Sequence, residues 1–423
     1  MRHTIILNER ELRDAKARLE RLAEALSSKK ALQQAAIGLP HSVMISVVNA
    51  VRAEREALSS AIRAYEAAKE NKDAALLESY IGGEAGLTLI VARIAKGYSQ
   101  RDLAWRLGLK EQQIQRYESE KYRSISLKNY VRIATLLGVR LRASIEKNPE
   151  LRGLDWVISD VSKADIKKII KHGRESGWFD GDITESKLQQ YIAENRIEYG
   201  SPSLLRTGLK ASDHSEDVLL HAWRARVGTV AREKLPSLEG KFDITDIEWL
   251  PKFAHLSQYA DGPLRAVQAL NERGILLITE RQVPGLSIDG AAFIEDGVPV
   301  IGLTLRRDSI DNFWFTLMHE LGHVILHYST GLAVGFFDEM DAESTDVQER
   351  EADHFASNLL IADEVWRRST ARIASDSGVI EAFASKMNIH PAIVFGRIRM
   401  ERNNYKIFND KIGRGSVRSL FST

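Results

Sequence analysis

The chain has 423 residues, too many for one hydrophobic core, so we expect roughly two to four domains. Hydrophobic residues make up 44% and charged residues 28%, and neither a long apolar run nor a signal-peptide pattern is present, which predicts a cytoplasmic protein without membrane contact. The net charge of +1 restricts any nucleic-acid affinity to a local basic patch, and the absence of cysteine excludes disulfides and thiolate metal ligands.

Residues 1–86 are predicted to form a helical hairpin or a short coiled coil. The segment Gly38-Leu39-Pro40 separates the two halves, because glycine and proline interrupt helices. Apolar residues step by three and four along both halves: Leu12, Ala15, Leu19, Leu22 and Leu26, then Met44, Val48, Val51, Leu58, Ile62 and Tyr65. Such a hairpin either holds a partner or a second subunit, or packs against the next domain, and the sequence leaves both interpretations open.

Residues 87–148 have a different character and predict a DNA-binding helical domain. Between residues 87 and 145, twelve lysine and arginine residues face four acidic residues, which makes a local basic patch. Ser99 is placed to cap the short helix SQRDLAWRLG, Gly108-Leu109 forms a turn, and KEQQIQRYESEK forms a second helix. A third helix follows a second cap at Ser126. A short helix, a glycine turn and another short helix make the helix-turn-helix geometry.

The predicted DNA contacts lie mainly on the second of these helices. The candidates are polar side chains of this helix and one of the preceding helix: Gln100, Glu111, Gln112, Gln113, Gln115 and Arg116. Glutamine and arginine pair bidentately with adenine and guanine edges. The pattern S-Q-x-x-L-A-x-x-L-G, followed by I-x-x-Y-E, resembles the XRE/Cro–repressor class, which implies a double-stranded DNA operator as partner. We expect a homodimer, because one helix-turn-helix rarely binds a site tightly alone. A solvated, charged helical bundle is the alternative interpretation.

Residues 149–250 predict a mostly helical linker domain, including a helix over 219–231, and residues 251–423 predict a mixed α and β domain. A strand over 275–280 is followed by two strands hinged at Asp296-Gly297, a dipeptide typical of hairpins. These strands predict a small antiparallel sheet. We expect strand 299–306 to lie at its edge, where a substrate peptide can add as an extra strand.

The stretch DNFWFTLMHELGHVILHY, residues 311–328, predicts a helix that is buried on most sides. Its polar residues share one narrow strip: His319, Glu320, His323 and His327. His319 and His323 are four residues apart, so both imidazoles can bind one metal ion, and Glu320 can take a proton from an attacking water. This H-E-x-x-H arrangement is typical of zinc hydrolases, so Zn²⁺ is the expected cofactor.

The third metal ligand is predicted on a later helix, VQEREADHFASNLLI. Glu349 falls on its apolar stripe and is the expected ligand, while Asp353 is expected to accept a hydrogen bond from the ring of a ligand histidine. The apolar stripe consists of Ala352, Phe355, Ala356, Leu359 and Leu360. Glu351 and His354 are expected to point to solvent. The alternative is an ordinary surface helix with a solvated Glu349.

His327 is not an expected ligand, because it lies about 12 Å along the helix axis from His319. A continuous helix cannot bring both rings to one ion. We expect His327 and Tyr328 to line the cleft or contact substrate. The group that stabilises the oxyanion stays open between His327, Tyr328, Arg306 and His354.

The two segments together resemble the ImmA/IrrE family of metallopeptidases, whose pattern is H-E-x-x-H followed by E-x-x-A-[ND]-x-F-A-x-x-L-L. The resemblance implies zinc on His319, His323 and Glu349, and Glu320 as general base. The chain departs from the family at Leu360-Ile361-Ala362-Asp363, where relatives carry a proline. With the upstream XRE segment, the chain resembles HigA-type antitoxin regulators fused to an ImmA/IrrE domain. The expected fold is therefore multidomain and mainly α, ending in an α+β zincin-like domain.

We therefore expect a DNA-binding regulator whose zinc endopeptidase domain cleaves a repressor or the regulator itself, controlling a toxin-antitoxin or stress-response operon. The expected partners are operator DNA and a protein substrate or cognate toxin. Two alternatives stay open. One is a non-proteolytic antitoxin and autorepressor that uses the peptidase fold to bind a partner or sense a signal. The other is a DNA-binding protein with a vestigial peptidase fold and no zinc.

Overall fold

The computed structural model describes residues 5–27, 37–78, 85–122, 125–140, 163–179, 183–194, 204–205, 214–328 and 342–421. The chain forms two compact units. The first comprises Met1–Lys29 and Val51–Glu150, and the second comprises Lys30–Ala50 and Leu151–Thr423. The four-domain division expected from the sequence stays a prediction. None of the helices in the described ranges is both long and apolar enough to cross a membrane.

The first unit is helical throughout its described residues. Its helices are α1 (Glu9–Ser27), α2 (His41–Asn71, whose residues 41–50 belong to the second unit), α3 (Ala75–Glu78), α4 (Ala85–Ala95), α5 (Gln100–Leu107), α6 (Glu111–Ser119) and α7 (Leu127–Leu137). The predicted break at Gly38-Leu39-Pro40 lies just before α2, and Gly38 has a φ of 93°. On α2 the predicted positions Val51, Leu58, Ile62 and Tyr65 are buried. Only the start of the helix differs, where Val43 and Val47 are buried and the predicted Met44 and Val48 are half-buried.

Local capping explains where α5 begins and ends and where α7 begins. The Ser99 side chain accepts a hydrogen bond from the Asp102 amide, and the Asp102 carboxylate accepts from the Ser99 amide, so both ends of a capping box are present. Gly108 ends α5 in the left-handed conformation, with a φ of 65°. Ser126 caps α7 through the Asn129 amide. The predicted helix, turn and helix are therefore confirmed.

The second unit combines helices with one sheet. Its elements are α8 (Lys163–Glu175), α9 (Glu185–Glu194), β1 (Leu204–Leu205), α10 (His214–Lys234), α11 (Leu250–Phe253), α12 (Gly262–Asn271), β2 (Leu276–Thr279), β3 (Gly290–Glu295), β4 (Val298–Leu303), α13 (Ile310–Leu326), α14 (Ala342–Leu360), α15 (Asp363–Arg367), α16 (Ser377–Lys386), α17 (Pro391–Glu401) and α18 (Arg418–Phe421). Helices α8, α9 and α10 share one hydrophobic core with the sheet, in which Trp223 of α10 is fully buried beside Phe293 of β3.

The sheet has the order β1-β3-β4-β2. The hairpin prediction is confirmed: β3 and β4 pair antiparallel, and Asp296 and Gly297 between them have φ values of 47° and 79°. Two expectations were wrong. The sheet is mixed, because β2 runs parallel to β4, and β4 is an internal strand between β3 and β2. Within the described residues the outer strands are β1, which pairs with β3 at Ala291 and Ala292, and β2, which pairs with β4.

Candidate functional sites

Helix α13 crosses the core of the second unit and carries the polar strip that the sequence predicted. Its apolar side chains are buried on all sides, including Trp314, Leu317 and Leu321 at 0% exposure. His319, Glu320 and His323 are also 0% exposed. Polar side chains buried to this degree must form hydrogen bonds with one another or contact a bound group. Burying a neutral polar group without such a partner costs on the order of 2–7 kcal/mol.

Helix α14 packs against α13 and brings the predicted third ligand to the two histidines. The ligand atoms of His319, His323 and Glu349 all lie within 4.8 Å of one another. Glu349 Oε2 is 3.3 Å from His319 Nε2, and Glu349 Oε1 is 3.4 Å from His323 Nε2. The two Nε2 atoms are 3.0 Å apart. The Nε2 atoms and the carboxylate therefore converge on one point.

The hydrogen bonds on the outer side of each ring decide what this point can hold. Asp353 Oδ1 lies 2.9 Å from His319 Nδ1, and a carboxylate can only accept, so Nδ1 carries a proton and the neutral form of the ring has its lone pair on Nε2. His323 Nδ1 lies 3.1 Å from His327 Nδ1, which leaves the Nε2 of His323 free to present a lone pair as well. Two lone pairs facing each other beside a carboxylate repel unless a cation lies between them. The donor set therefore fits a metal ion of the zinc type.

The protonation states agree with such a site. Burial lowers the pKa of His323 to about 3, so this ring is neutral. Burial acts to raise the pKa of Glu349, but the close approach of His319 and His323 outweighs it and lowers the pKa, which keeps the carboxylate ionised. Burial acts to lower the pKa of His319, and the carboxylates of Asp353 and Glu349 reverse this and raise it to about 9. The cluster thus attracts positive charge, which a proton or a metal ion can supply.

Glu320 lies beside this cluster and against strand β3. A Cβ atom at Gly290, the first residue of β3, would come within 2.9 Å of Glu320 Oε1 and 2.9 Å of Thr316 Cγ2. Glycine at this position therefore makes room for the carboxylate of Glu320. Gly290 was not among the predicted site residues, because its position at the start of a strand gives no indication of contact with a helix that begins 20 residues later.

His327 and Glu351 contact each other. His327 is 3% exposed and its Nδ1 lies 3.1 Å from the outer nitrogen of His323, so it lies behind a predicted ligand. Its expected contact with substrate stays a prediction. Glu351 was expected to point to solvent, but its Oε2 lies 2.9 Å from His327 Nε2 although the side chain is 55% exposed. The hydrogen bond from His327 lowers the pKa of Glu351.

The other candidates for oxyanion stabilisation lie in separate contacts. The Tyr328 ring packs against Phe242, with centroids 5.0 Å apart. The Arg306 Nε donates to Asp289 Oδ1 at 3.1 Å. His354 is exposed, as expected, and lines a cavity of about 360 Å³ with Asn358. None of these contacts ranks one candidate above the others.

In the first unit, α6 presents most of the predicted DNA contacts outward. Glu111, Gln112, Gln115 and Arg116 are exposed, whereas Ile114 and Tyr117 are buried beneath them. Gln113 is half-buried and donates to the Tyr117 hydroxyl at 3.1 Å. The exposed face of α6 is therefore polar, with amide and guanidinium groups that suit base edges.

Gln100 has a different environment from the candidates on α6. Its side-chain amide donates to Glu118 Oε2 at 2.8 Å, and Glu118 also pairs with Arg93 at 2.5 and 2.9 Å. Arg93 and Glu118 have side chains only 3% and 4% exposed. Arg93 further donates to the carbonyl of Leu7 at 2.8 Å, which ties the segment before α1 to α4. The sequence analysis missed this buried pair, because the two residues are 25 positions apart.

Two family models match the chain. Residues 272–390 match the model described as the IrrE N-terminal-like domain, a peptidase family, and residues 89–143 match a model described as Helix-turn-helix. These matches confirm the predicted combination of an XRE-type helix-turn-helix domain and an IrrE-like domain. No curated protein and no solved structure gives a significant match. The chain thus carries a DNA-binding type of domain and a metallopeptidase type of domain.

Proposed function

We propose that the protein is a DNA-binding transcriptional regulator with a zinc-dependent endopeptidase domain, which cleaves a repressor or the regulator itself. The observation that carries this proposal is the convergence of His319 Nε2, His323 Nε2 and the Glu349 carboxylate on one point. The metallopeptidase-type family match over residues 272–390 supports it.

The roles of the residues follow from this geometry. His319, His323 and Glu349 hold the ion, and Asp353 orients His319. Zinc, when bound, polarises the scissile carbonyl and lowers the pKa of water towards neutrality. Glu320 takes the proton from the attacking water and delivers it to the leaving amine. Burial at 0% exposure keeps the Glu320 carboxylate away from bulk water, which strengthens its hydrogen bonds to the reacting groups.

The first experiment measures metal content of the purified full chain beside Glu349→Ala and Glu320→Gln. We expect about one zinc per chain in the wild type, loss of zinc in Glu349→Ala, and retained zinc in Glu320→Gln. Cleavage of a protein substrate should be present in the wild type and absent from Glu320→Gln. If the wild-type protein contains no zinc, even after the metal is supplied, the peptidase proposal is wrong.

A second candidate function rests on the burial of the site. His319, Glu320 and His323 are all 0% exposed, so a peptide cannot reach them without movement of the surrounding chain. This favours an antitoxin or autorepressor whose peptidase fold binds a partner or senses a signal without cutting. The Glu320→Gln variant separates the two functions, since the non-proteolytic protein should regulate its operon unchanged.

The helix-turn-helix match supports binding of a double-stranded DNA operator. Exposed Gln112, Gln115 and Arg116 on α6 would contact the bases, and a homodimer would place two such helices on successive half-sites. Sedimentation of the protein with and without an operator duplex tests the dimer. Control of a toxin-antitoxin or stress-response operon, with a cognate toxin as partner, belongs to the same proposal.

A further inference from the structure

A chain of three side chains leads away from the predicted metal point towards solvent. His323 is fully buried, His327 is 3% exposed, and the Glu351 side chain is 55% exposed. Two hydrogen bonds join them: His323 Nδ1 to His327 Nδ1 at 3.1 Å, and His327 Nε2 to Glu351 Oε2 at 2.9 Å. We call these three side chains the relay.

The direction of both hydrogen bonds follows from the carboxylate at the outer end. An ionised Glu351 can only accept, so Nε2 of His327 must carry a proton. In a neutral His327 the other nitrogen, Nδ1, is then an acceptor, and His323 Nδ1 must be the donor. This leaves the lone pair of His323 on Nε2, directed at Glu349 and His319.

The opposite arrangement would close the site to a metal. If His327 donated from Nδ1, His323 would accept on Nδ1 and carry its proton on Nε2, where the ion should bind. His319 has its own carboxylate in Asp353, but His323 has no carboxylate in direct contact on its outer side among the described residues. The distant carboxylate of Glu351 can act on His323 only through His327.

We propose that His327 and Glu351 are positioning residues that fix the tautomer and ring orientation of His323 and thereby set the metal affinity of the site. This inference rests on the proposed metal site. It assigns a role to Glu351, which follows the predicted ligand Glu349 by two residues on α14. Loss of such supporting hydrogen bonds lowers metal affinity by about 10- to 100-fold in comparable sites.

The test measures zinc dissociation constants by competition with a chromogenic chelator on the full chain. We expect Glu351→Ala and His327→Phe to weaken zinc binding by about 10- to 100-fold. Glu351→Gln and His327→Gln each keep an acceptor at the required position and should restore most of the affinity. Glu364→Ala, which removes an exposed carboxylate from the neighbouring helix α15, is the matched control and should bind zinc as the wild type does.

Two further readouts distinguish positioning from a general structural effect. The visible absorption spectrum of the Co²⁺-substituted protein should change in Glu351→Ala, and the melting temperature of the metal-free protein should not. Since Glu351 lies at the surface, this variant stays informative even if His327→Phe fails to fold. Zinc binding and a Co²⁺ spectrum like the wild type in both variants would overturn the relay. A wild type that binds neither metal would overturn the metal site and the relay together.

Discussion

Gly290 on strand β3 lies directly against the carboxylate of Glu320 on α13, so that a Cβ atom there would come within 2.9 Å of Glu320 Oε1. Contacts this short force one partner to move. The Thr316 methyl group, at the same distance from the added atom, blocks one direction of escape. The space around the proposed general base, Glu320, therefore depends on glycine having no side chain at position 290 in the sheet.

We predict that Gly290→Ala lowers peptidase activity by about 10- to 100-fold, because a displacement near 1 Å is enough to misalign a catalytic group. Zinc content should stay at the wild-type value, since none of the three predicted ligands contacts Gly290. Cleavage rate and metal content are measured on the same preparation. Gly378→Ala, where the added Cβ would meet only ordinary contacts from 3.5 Å, is the control. Full activity in Gly290→Ala would contradict the role given to this contact.

Local signals in the sequence were sufficient to predict the helix-turn-helix of the first unit and the hairpin of the second. Ser99, Gly108 and Ser126 act on their immediate neighbours, so the ends of α5 and the start of α7 could be predicted without knowing the rest of the fold. The Asp296-Gly297 turn is local in the same way, because its two positive φ values determine the pairing of β3 with β4. Helical phase also predicted which side chains of α13 and α14 face each other.

The errors arose where the structure depends on contacts between distant segments. The position of β4 inside the sheet is set by β2 on one side and β3 on the other, and no residue of β4 itself signals this order. Helical phase gives the direction of a Cβ atom but not the reach of a long side chain, so Glu351 was expected in solvent while its carboxylate reaches His327.

Asp353 provides a second test of the metal site. Its carboxylate is the acceptor for His319 Nδ1, and its side chain is 56% exposed, so replacing it should not disturb the core. We predict that Asp353→Ala weakens zinc binding by about 10- to 100-fold and leaves the fold intact, as judged by circular dichroism. Glu349→Ala should have a larger effect, since it removes a ligand. Equal zinc affinity in Asp353→Ala and the wild type would argue against the proposed role of Asp353.

The buried pair of Arg93 and Glu118 should dominate the stability of the first unit. Removing one partner leaves the other charged and buried, which costs about 3–5 kcal/mol. We therefore predict a large loss in the free energy of unfolding for Arg93→Met, measured by chemical denaturation. Adding Glu118→Leu should recover part of it, because the carboxylate left unpaired by Arg93→Met is then gone.

The exposed pair of Lys16 and Glu66 is the control for this comparison. Its side chains are 50% and 45% exposed, so Lys16→Ala should change the free energy of unfolding by only about 0–1 kcal/mol. An effect of Arg93→Met as small as that of Lys16→Ala would contradict the prediction.

The exposed face of α6 predicts how the protein distinguishes DNA sequences. Gln112 and Gln115 are exposed, and Gln115 donates to the exposed Glu111 carboxylate at 3.3 Å, whereas Gln113 donates to Tyr117 and Gln100 to the buried Glu118. An operator is first selected from a random duplex library with the wild type. Gln112→Ala and Gln115→Ala should then lose about 1–3 kcal/mol of binding free energy on that operator, while their affinity for unrelated duplexes stays the same.

Gln100→Ala should behave differently, because its side chain supports the buried pair. We expect it to reduce the stability of the first unit and to weaken binding to selected and unrelated duplexes by the same factor. Measurements of DNA affinity at two salt concentrations separate the contribution of phosphate contacts from that of base contacts. Binding through phosphate contacts depends strongly on salt, and binding through base contacts depends on it much less. If Gln112→Ala and Gln115→Ala keep the wild-type ratio of specific to unspecific affinity, α6 does not read the bases, and another exposed surface of the protein must do so.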